Sequence, residues 1–304
     1  MRLLLRFAPS CYRLAPLTFI LLLLPAWASG AALGKHYREM LVVKHQLWVL
    51  TEAGRIRVYD AVGKPQPLSA VEAVTAQHLA ADGERVVAQV GLALKRWNGA
   101  VGAWETVGKL AESVLGLAVN SRHQVFAITA LGVLDVQTGR RILPKPTLSY
   151  RPQGFTKFNP PAAYFMDAQD NLWIGYGYGE WGGDIFTYST AQHKFLELRL
   201  NGFDLAPIKS FFQLKTSVGV STGLQHFMTS GSLAEFTDLG ARTIYSTWAD
   251  RDTAKTRPHS ATDQPYIGPA AYDASLNRLY FYSHLGVYEA EYGKNLARLT
   301  AWRQ

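Results

Sequence analysis

The sequence predicts an all-β fold, a six-bladed β-propeller of four-stranded antiparallel blades, on three observations. A glycine recurs between short apolar runs, at Gly54, Gly91, Gly132, Gly183, Gly223 and Gly286, with spacings of 37, 41, 51, 40 and 63 residues. A period near forty built from short strands matches one blade per repeat. Helix signals are nearly absent, with Leu110–Val114 a single turn at most, while Tyr, Phe and Trp are abundant, as strands favour. Hydrophobic residues make up 48% and charged residues 18%, which supplies a core and argues against disorder.

The chain opens on a different composition. Arg2, Arg6 and Arg13 precede the apolar run Leu17–Leu24, Pro25 breaks it, and Ala26-Trp27-Ala28 offers a small-x-small cleavage site. This reads as a secretory signal peptide over residues 1–28, leaving 29–304 as the propeller domain. The run is shorter than the ~20 residues a span needs, so no membrane segment is expected in the mature chain. The compartment follows: exported, to a bacterial periplasm or the extracellular space. The single cysteine, Cys11, lies within the leader, so neither disulfide nor thiolate chemistry is expected afterwards. Removing the three arginines lowers the net charge from +8 to +5. Lys95-Arg96 and Arg140-Arg141 are the only basic doublets and no dense basic patch appears, so nucleic acid is not an expected partner.

The blades follow in order. Blade one takes Tyr37–Val43, Leu47–Thr51 and Arg55–Asp60, with an edge strand near Pro65–Leu68. Blade two runs from about Thr75 to Val107 and turns at Asp82-Gly83. Blade three runs from about Val114 to Leu143, with a turn at Asp135–Gly139 where Asp bonds back to the backbone and Gly takes positive φ. Blade four spans Ala162–Leu200, blade five Ile208–Thr247 and blade six Ile267–Trp302. Trp48, Phe126, Trp173 and Tyr280 fall at equivalent second-strand positions, facing a neighbouring blade. Residues 143–161 and 248–266 lack alternation and read as loops; a degenerate blade there would raise the count to seven.

In blade four, Asp167-Ala168-Gln169-Asp170-Asn171-Leu172-Trp173-Ile174-Gly175 resembles the repeat of the two-component regulator propellers, roughly Asp-x-x-Gly-x-Leu-Trp-Ile-Gly-Thr. Asp170 replaces the glycine and Tyr176 the threonine. Leu47-Trp48-Val49 and Asn277–Phe281 are weaker copies. In that family the propeller is an extracytoplasmic sensor joined to a membrane helix and a kinase. The resemblance therefore implies a stand-alone exported propeller that binds a ligand or partner, without the kinase part.

The candidate site is Gly175–Asp184, between the second and third strands of blade four. Its glycines let backbone approach a ligand. Tyr176, Tyr178 and Trp181 offer stacking faces; Glu180 and Asp184 accept hydrogen bonds or act as a carboxylate pair. Tyr150 and Arg151, in the proline-rich crossover before blade four, are expected to contribute. The polar stretch 248–266 is the third length anomaly, and its His259 and Asp263 would pair on a metal only in a helix, which Pro258 disfavours. His226 and His284 flank the glycines of blades five and six as strand-end residues. Strand alternation places all three anomalous loops on one rim. The expected function is binding of a small molecule, a glycan or an envelope protein through that rim. No cofactor or metal set is expected from the sequence. The alternative is a hydrolase, lactonase or lyase acting on a sugar or small ester, which would show two or more carboxylates, or a carboxylate and a histidine, converging in the axial mouth with perturbed pKa values.

Overall fold

A computed structural model describes residues 37–146, 157–225, 229–249 and 266–304. The leader, Tyr150, Arg151, His226, His259 and Asp263 lie outside these residues.

Among the described residues the chain folds into six antiparallel sheets, each built from consecutive strands. Blade one holds β1 (Tyr37–Val43), β2 (Gln46–Thr51) and β3 (Ile56–Tyr59). Its expected edge strand shrinks to a single bridge from Tyr59 to Pro65, because proline cannot donate to a ladder. A one-turn helix, α1 (Ser69–Glu72), follows and buries Val71. Blade two holds β4 (His78–Asp82), β5 (Arg85–Val90), β6 (Ala93–Asn98) and β7 (Ala103–Lys109). Blade three holds β8 (Gly116–Val119), β9 (Val125–Thr129), β10 (Gly132–Asp135) and β11 (Arg141–Ile142). Blade four holds β12 (Ala163–Met166), β13 (Asn171–Gly177), β14 (Gly183–Ser189) and β15 (Lys194–Leu196). Blade five holds β16 (Ile208–Gln213), β17 (Val218–Gln225), β18 (Thr229–Thr237) and β19 (Gly240–Ser246). Blade six holds β20 (Ala270–Asp273), β21 (Arg278–Ser283) and β22 (Gly286–Glu291), extended by a bridge from Glu289 to Arg303.

The core lies between the blades. Trp48 packs edge-on against Trp97 and Trp104 of blade two, Phe126 against Tyr188 of blade four, and Trp173 against Phe211 and Phe236 of blade five. Each of these second-strand aromatics faces the next blade, as their shared register requires. Inner strands pack in series from β1 round to β20; the junction of β20 with β1 is the loosest of the six.

Four of the six repeating glycines follow the second strand with positive φ, Gly54 and Gly91 within the turn and Gly132 and Gly286 as the first residue of the third strand. The other two have different roles. Gly183 opens β14, and the positive φ belongs to Gly182. Gly223 lies inside β17, where a Cβ would sit 1.9 Å from the Ile267 carbonyl oxygen. There glycine is required by the close approach of backbone from the next blade rather than by a turn.

The rim carrying the first-to-second strand turns is tied from blade to blade. Lys44 pairs with Glu84, His123 bonds to buried Asp82, Ser121 donates to Asp170 through N–H and hydroxyl, and Gln213 accepts the Ala168 N–H. Blades five and six are joined there by Glu235, which accepts from the Ser217 hydroxyl at 2.6 Å and the Tyr292 hydroxyl at 2.7 Å and pairs with Arg242. Burial pushes this carboxyl up, but the three hydrogen bonds and the Arg242 charge outweigh it, and the group sits below its usual range. A depressed carboxyl contributes stability above its unfolded value near 4.5 and loses it as pH falls through the folded value. Glu235→Gln is therefore expected to flatten the acid limb of stability below about pH 4.5, read as denaturation midpoint against pH; an unchanged slope would remove Glu235 from that account.

Candidate functional site

Chain direction assigns the rims. Each first strand starts at the rim where the preceding crossover arrives, so that rim also carries every turn between second and third strands. The β13–β14 turn belongs to it, as do the described ends of the β11–β12 and β19–β20 crossovers; residues 147–156 and 250–265 lie outside the described residues.

The blade-four turn is built tightly. β13 and β14 pair as far as Gly177 opposite Gly183, and Tyr178 N–H donates to the Gly182 carbonyl at 2.8 Å. Between them Gly179–Trp181 makes one 3-10 turn. Gly182 has φ +86°, and a Cβ there would stand 2.7 Å from the Leu205 carbonyl oxygen. Gly183 N–H donates to that same carbonyl at 2.7 Å. The glycines thus press the loop onto the crossover that leads from blade four to blade five.

The expected site residues divide accordingly. Tyr176 is buried, stacked between Phe158 at 5.8 Å and Tyr178 at 6.2 Å, and Asp184 is buried beside it. Burial first, then the charges of Tyr178 and Asp184, push the Tyr176 hydroxyl strongly up. That hydroxyl has no hydrogen-bond partner among the described residues. Tyr176 and Asp184 therefore belong to the packing between blades three and four, while Tyr178 is half-buried. Glu180 is exposed, and Trp181, at the tip, is 72% exposed. An orphaned buried hydroxyl is costly, so Tyr176→Phe is expected to leave stability unchanged or raise it by about 1 kcal/mol in thermal denaturation. A loss above ~1 kcal/mol would show that the hydroxyl has a partner.

Beside this turn lies a cavity of about 250 Å³, lined by Asp204, Ala206, Ser230, Gly231, Ser232, Ser246 and Trp248. It opens on the same rim: Asp204 and Ala206 precede β16, Ser230–Ser232 begin β18, and Ser246 and Trp248 end blade five. Trp248 is 44% exposed. Other exposed apolar side chains flank the turn glycines of this rim: Leu92, Leu131 and Leu285, one each in blades two, three and six. The opposite rim exposes Val62, Val101, Leu239 and Leu276, all aliphatic.

The axial mouth on this rim holds a cluster that motif reading missed. Glu39, at an irregularity in the β1–β2 register, places Oε1 2.5 Å from His78 Nδ1 and 2.8 Å from the Tyr164 hydroxyl. Its Oε2 accepts the Leu79 N–H at 2.6 Å. His78 Nε2 meets the Val114 carbonyl at 3.2 Å. Tyr164 lies over Gly116, where a Cβ would be 2.8 Å from its ring. Burial, then the Glu39 charge and hydrogen bond, push the Tyr164 hydroxyl well up, so it remains a donor. One carboxylate thus joins inner strands of blades one, two and four, and Tyr164 links it to blade three. The carboxylate–histidine convergence expected of an enzyme is present, held by the Tyr164 hydroxyl, the Leu79 N–H and the Val114 carbonyl. Among the described residues no group of three His, Cys, Asp or Glu side chains is arranged to hold a metal, and no helix is long and apolar enough to cross a membrane.

No family model and no curated protein matches the chain. Solved structures do. One chain of the mitotic checkpoint complex matches at 12% identity with a TM-score of 0.51, over 83% of this chain and 72% of that one. The computationally designed Ika8 protein matches at 12% identity and 0.47, over 84% and 70%. The extracellular domain of the one-component system BT4673 from B. thetaiotaomicron matches at 12% identity and 0.38; this chain covers 48% of its length, and 91% of this chain is matched. At these identities the likeness concerns the fold, and the chain is an all-β, six-bladed propeller of mostly four-stranded antiparallel sheets.

Proposed function

We propose that this chain is a binding module that docks a protein partner on the rim of second-to-third strand turns. The observation that carries the reading is that the two tryptophans exposed among the described residues both lie on that rim, Trp248 lining the cavity and Trp181 at the tip of the β13–β14 turn. Leu92, Leu131 and Leu285 extend the apolar positions to three further blades, a spread suited to a protein surface rather than to one small ligand. Exposed tryptophans on a rigid scaffold are the side chains that most often carry interface energy. Loops tied to a rigid sheet are also where binding residues concentrate. The partner is met outside the cytoplasm, on the reading of residues 1–28 as a cleaved leader; intact mass of the exported product checks this, and retention of Arg2–Ala28 would refute it.

The test uses a photo-crosslinking residue at position 131 or 285, with position 62 or 239 on the opposite rim as control, in the cell that makes the protein. One discrete adduct from the first pair and none from the second is expected, and the reverse pattern overturns the reading. Trp181→Ala and Glu180→Ala should reduce the adduct while shifting stability by no more than about 0.5 kcal/mol, as for surface positions. A large stability loss with an undiminished adduct would make the turn purely structural.

A further inference from the structure

The cavity under Trp248 differs in charge from the chain around it. The whole sequence carries a net charge of +8, yet the lining residues include one ionisable side chain, the carboxylate of Asp204. Among the described residues Asp204 has no side-chain hydrogen bond or ion pair, and the hydroxyls of Ser230, Ser232 and Ser246 have none either. Trp248 adds an aromatic wall. The next acidic group on the same side is Glu180, in the turn that Gly182 and Gly183 hold against Leu205 and Ala206.

We propose that this cavity receives a basic side chain, lysine or arginine, from the docked partner, an assignment that rests on the rim-docking reading above. Each wall suits a cation. The carboxylate pairs with it and the indole face attracts it through the ring quadrupole. The serine oxygens accept the N–H groups that the carboxylate leaves over. A volume of about 250 Å³ is smaller than the roughly 300–1,000 Å³ of sites for drug-sized ligands, and it admits one long side chain. A neutral polyol would use the hydroxyls and the indole but leave the Asp204 charge without a partner. An anion would meet Asp204 directly.

The probes are N-acetyl-arginine amide and N-acetyl-lysine amide, with methyl glucoside as the neutral control, titrated into the protein while the Trp248 indole N–H is followed by NMR. Saturable shifts with a Kd on the order of 1–10 mM are expected for at least one basic probe. Asp204→Asn should weaken that binding about three- to fivefold with the melting temperature unchanged, as an exposed ion pair predicts, and added salt should weaken it in the wild type alone. No shift with either basic probe, equal affinity in Asp204→Asn, or tighter binding of methyl glucoside overturns the proposal. The two readings fail separately. Probe binding without a rim crosslink rejects partner docking and leaves a cation site; a rim crosslink without probe binding rejects the cation site and leaves the docking face.

Discussion

Trp173→Ala is expected to destabilise the protein by about 3–5 kcal/mol. The indole is buried between blades four and five, 6.0 Å from Phe211 and 5.6 Å from Phe236, and its Nε1 donates to Asp167 Oδ2 at 2.8 Å. Removing it empties an inter-blade volume that two paired sheets cannot collapse to fill. It also withdraws a donor from Asp167, whose carboxylate organises the β12–β13 turn through the Gln169 and Asn171 N–H groups. Chemical denaturation checks the number, and a loss under ~1 kcal/mol would mean that Trp173 is not core. Trp173→Phe keeps most of the packing and should cost less than the alanine variant.

Glu39→Ala is the second large effect, at about 3–5 kcal/mol. The cost comes from what it strands. His78, the Tyr164 hydroxyl and the Leu79 N–H all lose one shared acceptor in a mouth where the Glu39 and His78 side chains are only 13% and 12% exposed. Tyr164→Phe removes one donor from the buried Glu39 carboxylate, for a smaller loss of about 1–3 kcal/mol. The double variant should lose less than the sum, because both changes break one network. Full additivity, or a Glu39→Ala loss under ~1 kcal/mol, would show that water solvates the carboxylate and that the axis is not tied through it. The tie matters to the ring because, among the described residues, no sheet takes a strand from another blade and β20 meets β1 only loosely. Glu39, His78 and Tyr164 brace blades one, two and four through the axis instead.

Strand alternation, turn chemistry and a period near forty are local properties, and the sequence by itself determined them. β1 runs Tyr37–Val43 as read from alternation, and Asp135 accepts the Gln137 N–H while Gly139 takes φ +71°. The rim assignment followed as well, since antiparallel order decides which turns share a side. Tertiary structure alone decided which side chains that rim exposes. Tyr176 and Trp181 read alike as aromatics in a glycine-rich turn. The β13–β14 pairing carries Tyr176 into the core, whereas the 3-10 turn lifts Trp181 out of it. The cavity at Trp248 needs the blade-four crossover laid against blade five, and the axial cluster joins residues 39 and 125 positions apart. No periodicity encodes such pairs, because strand and turn preferences act over a few residues while these contacts exist only once the blades have closed around a common axis.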